Sequence, residues 1–181
     1  MENTKNAVLF PGIKDGDTFQ IGPFEFIKFP AIGDKTPVVM KGIAFNATFG
    51  RSNNLRSSPI LSKMEETILP KIIECVGEDN VCEFETDLTT LDGLKPYGRM
   101  TSRISLPTFD FYRVNVEIFD KYKLDDWWWL ATPDTVQPHY DPVWVSCVSP
   151  RGRVNYYRFS YDRGVRPFLI LKSAIFGSSE A

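Results

Sequence analysis

The last third of the chain carries the pattern that most restricts its fold. Three consecutive tryptophans, Trp127 to Trp129, begin this part, and the segment Gly164-Val165-Arg166-Pro167-Phe168 ends it. Successive side chains of a β-strand point to opposite faces, so Trp127 and Trp129 share one face and Trp128 takes the other. We therefore expect the tryptophans to fill core on both sides of a strand. A ligand-stacking role for one exposed ring is the alternative.

The 33 residues from Thr132 to Gly164 have an unusual composition. They hold five of the eleven Tyr and Trp residues and four of the ten Arg residues, but no Lys and no Glu. Enrichment in aromatic residues and Arg with depletion of Lys and Glu is typical of the core of a protein interface. Tyrosine also supplies large, rigid contact area at little entropic cost. The composition predicts a binding surface.

The candidate binding residues follow from this composition. They are Gln137, His139, Tyr140, Trp144, Ser146, Arg151, Arg153, Tyr156, Arg158, Tyr161 and Arg163. The alternative is a solvated sheet face that carries cross-strand aromatic pairs.

A predicted hairpin orients these residues. The sequence Ser149-Pro150-Arg151-Gly152 suits a type I turn, with Pro at the second position and Gly at the fourth. The turn fixes the strand register, so alternate residues share a face. We expect the more apolar Tyr157 and Phe159 to point inward. Four side chains then share the outer face: Trp144, Ser146, Tyr156 and Arg158.

Hydrophobic periodicity predicts helices in the middle of the chain. Ser58-Pro59 is an N-cap signal for a helix that runs to Val76, breaks after Thr67 because of Pro70, and stops at Gly77. Thr108 caps a second helix, Phe109 to Phe119.

Strand patterns precede and follow the predicted helices. We expect a hairpin or a bulged strand pair over Thr18–Phe29 and strands over Pro37–Phe45 and Ile104–Leu106, with a loop and one short strand in Glu83–Asp92. The final strands, expected in one antiparallel system, are Trp127–Ala131, Val143–Val148, Val154–Phe159 and Val165–Leu171. The fold class is α+β, an antiparallel sheet with two flanking helices in one domain over residues 1–181.

Bulk composition excludes several classes of function. A net charge of −2 and a pI near 5.5 argue against a general nucleic-acid binder. No stretch reaches 18 apolar residues, so no membrane association is expected, and the N-terminus lacks a signal-peptide pattern. Three cysteines without a signal peptide indicate reduced thiols. We expect the protein in the cytoplasm of a host cell, or packaged in a virion by a route that needs no signal peptide.

Catalytic and metal-binding patterns are absent from the sequence. His139 is the only histidine, and Cys147, expected to point inward, is the only thiol in its region. Asp134, Asp141 and Asp162 do not have the spacing of a compact calcium loop. We expect no cofactor, no metal and no enzymatic activity. Arg166 is expected to pair with Asp125 or Asp126, or to donate to loop carbonyls.

The order of motifs in the last third resembles a bacterial and prophage domain family of unknown function. Its members read Trp-Trp-Leu-Arg-Ser-Pro, then Ser-Asp-Gly-Ser-Val-Asn, then Gly-Val-Arg-Pro-Ala. The likeness extends upstream to Leu69-Pro70-Lys71-Ile72 and to Glu83–Gly93. It departs at the turn, where Pro150-Arg151 replaces Asp-Gly, and at Leu130-Ala131-Thr132, where the Arg-Ser of the pattern is missing.

The ending is similar, more distantly, to the C-type-lectin-like fold of formylglycine-generating-type enzymes and phage receptor-binding proteins. The resemblance implies a rigid scaffold that displays variable residues before its closing strand. Formylglycine chemistry is expected to need two cysteines near the end of the fold, and only Cys147 is present there. The first hypothesis is a phage or prophage recognition module for a protein or glycan. A phage-encoded cytoplasmic inhibitor of a host protein and an unrecognised enzyme are the alternatives.

Overall fold

A computed structural model of the protein describes residues 8–138 and 141–177. Alternating apolar residues near the N-terminus build most of the first sheet, and the last strand of the chain completes it. The sheet contains β1 (Thr18–Ile21), β2 (Phe24–Lys28), β3 (Lys35–Met40) and β11 (Phe168–Lys172). The order is β1-β2-β3-β11, and each neighbouring pair is antiparallel. The predicted Thr18–Phe29 hairpin is confirmed.

The second sheet contains the other strands of the aromatic last third. It comprises β4 (Phe45–Ala47), β7 (Trp128–Pro133), β8 (Trp144–Val148), β9 (Val154–Arg158) and β10 (Arg163–Val165). The strand order is β4-β10-β7-β8-β9. Most neighbours are antiparallel, but β10 lies parallel to β7. The Pro37–Phe45 prediction of a single strand is wrong, because this segment supplies β3 to one sheet and the start of β4 to the other.

The predicted single antiparallel system for the last third is also wrong. The segment Val165–Leu171 divides between β10 and β11, which belong to different sheets. Arg166 lies at this crossover and is 1% exposed. Its guanidinium donates to the carbonyls of Met40 (3.0 Å) and Lys41 (2.8 Å) and lies 4.6 Å from the centre of the Trp128 ring. The carbonyl alternative is therefore confirmed, and the pairing with Asp125 or Asp126 is wrong.

The first helical region forms as the cap and proline signals predict. The helices α1 (Pro59–Thr67) and α2 (Leu69–Val76) are separated by Ile68, and Ser58 caps α1 by accepting from the Ile60 amide. Gly77, with a φ of 87°, ends α2 and donates to the Ile73 carbonyl at 2.8 Å. A left-handed residue is cheapest as glycine, which explains the stop.

The second helical region differs from the prediction of one helix. Thr108 caps α3 (Phe109–Val114), as expected, but Asn115 separates it from α4 (Val116–Asp120). The Asn115 side chain donates to the Phe111 carbonyl at 2.9 Å. Asparagine side chains compete for backbone groups in this way, which weakens a continuing helix. In the part of the chain that the structure describes, no helix is long and apolar enough to cross a bilayer.

A two-stranded hairpin lies between the helix pairs in sequence. It consists of β5 (Phe84–Asp87) and β6 (Arg99–Ser102). β5 confirms the short strand expected in this acidic segment. The strand predicted over Ile104–Leu106 is wrong, because Ser105 makes only an isolated bridge to Phe168.

The tryptophan triplet separates two regions of the core. Trp129 belongs to the core that α1 and α2 help to form, and Trp127 packs against its edge. Trp128 belongs to the other core, beside Tyr112 and Phe119 of the α3–α4 pair. The predicted alternation is confirmed, and the second sheet is covered on both faces.

Candidate recognition surface

The turn between β8 and β9 sets the geometry of the predicted surface. Gly152 has a φ of 79° and donates to the Ser149 carbonyl at 2.8 Å, as expected for the turn. Ser149 in turn donates to the Arg153 carbonyl at 2.9 Å, and Val148 pairs with Val154. The Tyr112 hydroxyl of α3 donates to the Gly152 carbonyl at 2.6 Å. Two arginines, Arg151 and Arg153, are exposed on this anchored turn.

The outer face of the hairpin carries an aromatic and cationic cluster. Tyr156 is 50% exposed, and its ring meets the half-buried Trp144 edge-on at 5.7 Å. The Arg158 guanidinium is 5.9 Å from the centre of the Trp144 ring. These orientations confirm the prediction for Trp144, Tyr156 and Arg158. We call these three residues the outer cluster.

A second cluster lies on the opposite face of β9. The Arg163 guanidinium is 4.2 Å from the ring centre of Tyr157, 5.4 Å from that of Tyr161 and 5.7 Å from that of Trp127. Tyr161 is 50% exposed, whereas Trp127, Tyr157 and Arg163 are half-buried. We call these four residues the flanking cluster. The residues predicted as one surface are therefore divided between two faces of one strand.

Ser146 does not belong to the accessible surface, which corrects the prediction. It is fully buried, and its hydroxyl donates to the Thr132 carbonyl at 2.6 Å. The pairing of β7 with β8 is irregular between Trp129 and Pro133. A carbonyl displaced from a regular ladder needs another donor when it is buried, and the serine hydroxyl supplies one.

The remaining predicted positions lie outside both clusters. Gln137 is exposed and donates to the Asp92 carboxylate at 3.0 Å. His139 and Tyr140 lie outside the described residues.

The electrostatics of the surface differ from those around the β5–β6 hairpin. Arg99, Arg103 and Arg113 each pair with a carboxylate. The ion pairs within residues 8–138 and 141–177 include none of the four surface arginines, Arg151, Arg153, Arg158 and Arg163. Residues 141–163 contain only two carboxylates, Asp141 and Asp162. The surface is therefore a local concentration of positive charge on a chain with a net charge of −2.

The free edge of β9 is partly closed by the chain itself. β9 pairs with β8, and the hydrogen-bond pattern turns the backbone groups of Val154, Tyr156 and Arg158 towards the edge. The Tyr156 amide donates to the Asn155 side chain at 2.8 Å, and the Arg158 carbonyl accepts from the Tyr161 amide at 3.0 Å. Two of these edge-facing backbone groups, the Tyr156 amide and the Arg158 carbonyl, are therefore engaged within the chain.

The chemistry near the surface does not favour a thiol nucleophile. Cys147 is fully buried, and burial raises the pKa of its thiol to about 12. The reactive species is the thiolate, so a buried thiol with this pKa is inert at neutral pH. Within the described ranges, no group of three or more His, Cys, Asp or Glu side chains has the geometry to hold a metal ion.

Two features of the surface were missed from the sequence. One is the contact of Arg163 with Trp127, since these residues are 36 positions apart and meet only because β10 lies parallel to β7. Gly164 was the available signal, because glycine within a strand indicates a close approach of another backbone, and a Cβ here would lie 3.1 Å from the Trp127 carbonyl oxygen. The other is the capping of the β9 edge by Asn155.

Comparisons with known protein families, with curated proteins and with solved structures found no match for this chain. The two clusters and their charge are therefore the basis on which its function can be argued.

Proposed function

We propose that the protein is a non-enzymatic recognition module that binds an acidic protein segment or an acidic glycan through the β8–β9 hairpin. The observation that carries the proposal is the group of four surface arginines around exposed tyrosines, with no ion pair to another described residue. The acidic character of the partner follows from charge complementarity. The binding residues are Trp144, Arg151, Arg153, Tyr156, Arg158, Tyr161 and Arg163.

The two aromatic clusters support the proposal because they hold two of the four cations against aromatic rings. Arg158 lies over Trp144, and Arg163 lies over Tyr157. A guanidinium that is already oriented loses less entropy when it forms a forked pair with a carboxylate or sulfate. Tyr, Trp and Arg are also the residue types in which binding energy concentrates.

We further propose that the scaffold is C-type-lectin-like. The closing strand β11 lies beside β3 in the sheet of the N-terminal strands, and two helix pairs flank the sheets. The hairpin that displays the arginines precedes the closing strand, as the resemblance of the sequence implies. A fold alone does not define a function, so the proposed binding role depends on the clusters.

Array binding tests the proposed function. Labelled protein would be applied to one array of acidic and neutral peptides and to another of sulfated, sialylated and neutral glycans. We expect retention on acidic members of one array and a loss of that retention in Tyr156→Ala and Arg158→Ala. Arg99→Ala is the matched control, since Arg99 is exposed but already paired with Glu85. Equal retention of wild type, Arg158→Ala and Arg99→Ala would contradict the proposal, as would a preference for neutral ligands.

A further inference from the structure

A cleft of about 500 Å³ lies away from the arginine surface, between the β5–β6 hairpin and α3. The hairpin is attached to β11 near both of its ends, by the bridges Val81 to Leu171 and Ser105 to Phe168. Residues of β5, of α3 and of β11 line the cleft. This volume lies within the range of small-molecule sites, roughly 300–1,000 Å³.

The walls of the cleft are aromatic and aliphatic. The Phe168 ring meets the Phe84 ring at 5.2 Å and the Phe111 ring at 4.9 Å, both edge-on. These contacts hold the rings of the β11 strand, the hairpin and the helix in fixed positions. The other apolar lining residues are Leu91, Leu106, Phe109 and Ile170.

Two threonine hydroxyls at the α3 end of the cleft supply hydrogen-bond donors. Thr132 Oγ1 accepts from the Phe109 amide at 2.9 Å, and Thr108 Oγ1 accepts from the Phe111 amide at 3.1 Å. Each hydroxyl uses a lone pair in this bond and keeps its own O–H to donate. A hydroxyl that accepts a bond is a stronger donor, because the bonds polarise each other.

The charged groups at the mouth of the cleft are paired with one another. Arg113 holds Asp110 at 2.8 Å, and Arg99 lies 3.5 Å from Glu85 and 3.9 Å from Asp87. Each of these carboxylates therefore lies beside a guanidinium, and the group of three carboxylates and two arginines has a net charge of only −1. A charged ligand would lose hydration on entry without gaining a dedicated counter-ion.

We propose that this cleft binds a small uncharged ligand with an aromatic or alkyl body and one hydroxyl or carbonyl oxygen. The body packs against Phe84, Phe111 and Phe168, and the oxygen accepts from Thr108 or Thr132. This site is separate from the proposed acidic-partner surface and does not depend on it.

Three probes of similar size test the proposal on the whole chain by protein-observed NMR titration. They are N-benzylacetamide, which is uncharged and carries a carbonyl, benzylamine, which is cationic, and benzoate, which is anionic. We expect N-benzylacetamide to bind with a millimolar Kd, the order expected of a fragment of this size. Its affinity should exceed that of each charged probe by about tenfold, because neither charge finds a partner in the cleft. Equal or tighter binding of either charged probe would overturn the proposed chemistry.

Two pairs of variants locate the site. Asp110→Trp should block the mouth and abolish binding, whereas Asp110→Ala should not, since Asp110 is exposed and outside the core. Thr108→Val removes a donor, and Thr108→Ser keeps both the donor and the helix cap. The second pair is compared by the affinity for N-benzylacetamide divided by the affinity for n-butylbenzene, which has no oxygen to accept a hydrogen bond. This ratio should fall in Thr108→Val only. A partial loss of folded protein affects both ligands equally and leaves this ratio unchanged.

Every outcome of this experiment bears on the proposal. Retained binding in Asp110→Trp would place the probe elsewhere and overturn the site. An unchanged ratio in both Thr108→Val and Thr132→Val would overturn the proposed hydrogen bond to the ligand oxygen. Absence of binding by all four compounds at millimolar concentration would overturn the proposal completely.

Discussion

The arginines of the β8–β9 hairpin and those of the β5–β6 region are the same residue type in opposite roles. Around the β5–β6 hairpin, Arg99, Arg103 and Arg113 are each held by a carboxylate. On the β8–β9 hairpin and at the start of β10, the four arginines meet aromatic rings or solvent instead. The difference predicts that pairing with a carboxylate, rather than the presence of arginine, decides which surface can bind an acidic partner.

The strongest test of this comparison is the loss of partner affinity in the outer cluster. Tyr156→Ala and Arg158→Ala should each weaken binding at least about tenfold, and the double variant should differ from the product of the two effects, because both side chains contact Trp144. The melting temperature should change little, because both side chains are exposed. Isothermal titration with the best array ligand, beside thermal unfolding, measures both effects. A double variant that binds like wild type would show that the hairpin is not the binding surface.

A third kind of arginine, the buried Arg166, should affect stability instead of binding. Burial lowers its pKa to about 10, so it stays charged at neutral pH. Arg166→Met leaves the carbonyls of Met40 and Lys41 without their donor, and removal of a buried charge offsets part of that loss. We expect a net cost of about 2 kcal/mol in the free energy of unfolding.

Urea unfolding measures this cost against a matched substitution. Arg158→Met, on the exposed outer cluster, should change the free energy of unfolding by less than about 0.5 kcal/mol. If the two substitutions cost the same, the distinction between a structural and a surface arginine would not hold.

Ionic strength should separate the two regions by a smaller effect. Partner binding through exposed, unpaired arginines should weaken as salt is raised from low to physiological concentration, because exposed charges are screened over about 8–10 Å. Binding of N-benzylacetamide in the cleft should not change, since the probe is uncharged. Titrations of both ligands at several sodium chloride concentrations test this difference. A salt-independent interaction with the acidic ligand would argue for apolar contacts alone.

The smallest predicted effect concerns the exposed carboxylate of Asp92. Hydrogen bonds from Thr90 and then Thr135 lower the pKa of Asp92 in the folded protein. Stability from this aspartate is therefore fully present above its unfolded pKa of about 3.9 and is lost as pH falls through the lowered value. Asp92→Asn should lower the melting temperature by about 1 °C at neutral pH, because the group is exposed and screened.

The assigned hydrogen bonds are tested by measuring how the difference in melting temperature between wild type and Asp92→Asn depends on pH. The melting temperatures of wild type and Asp92→Asn should converge under acid conditions, once the aspartate is protonated in both states. A difference that grows as pH falls would have the wrong sign and would contradict the assigned hydrogen bonds.

Local signals in the sequence were sufficient for several elements. The caps at Ser58 and Thr108, the break near Pro70 and the stop at Gly77 formed as predicted, because each depends on a few neighbouring residues. The faces of Tyr156 and Arg158 also formed as predicted, since the turn at Ser149–Gly152 fixes the register. Asn115 divides the second helix through a local bond that the periodicity of the apolar residues did not reveal.

The sequence by itself determined the alternation of the tryptophans, the hairpin and its concentration of arginines. Tertiary structure decided which parts of those faces are open. The α3–α4 pair covers the outer face at Val148 and Val154 but leaves Tyr156 and Arg158 exposed, and Ser146 is buried between these two ends. Tertiary structure also placed β11 in the first sheet, although it directly follows β10 of the second sheet in sequence. Alternation depends on adjacent residues, whereas coverage depends on helices that are distant in sequence, and no short pattern encodes their position.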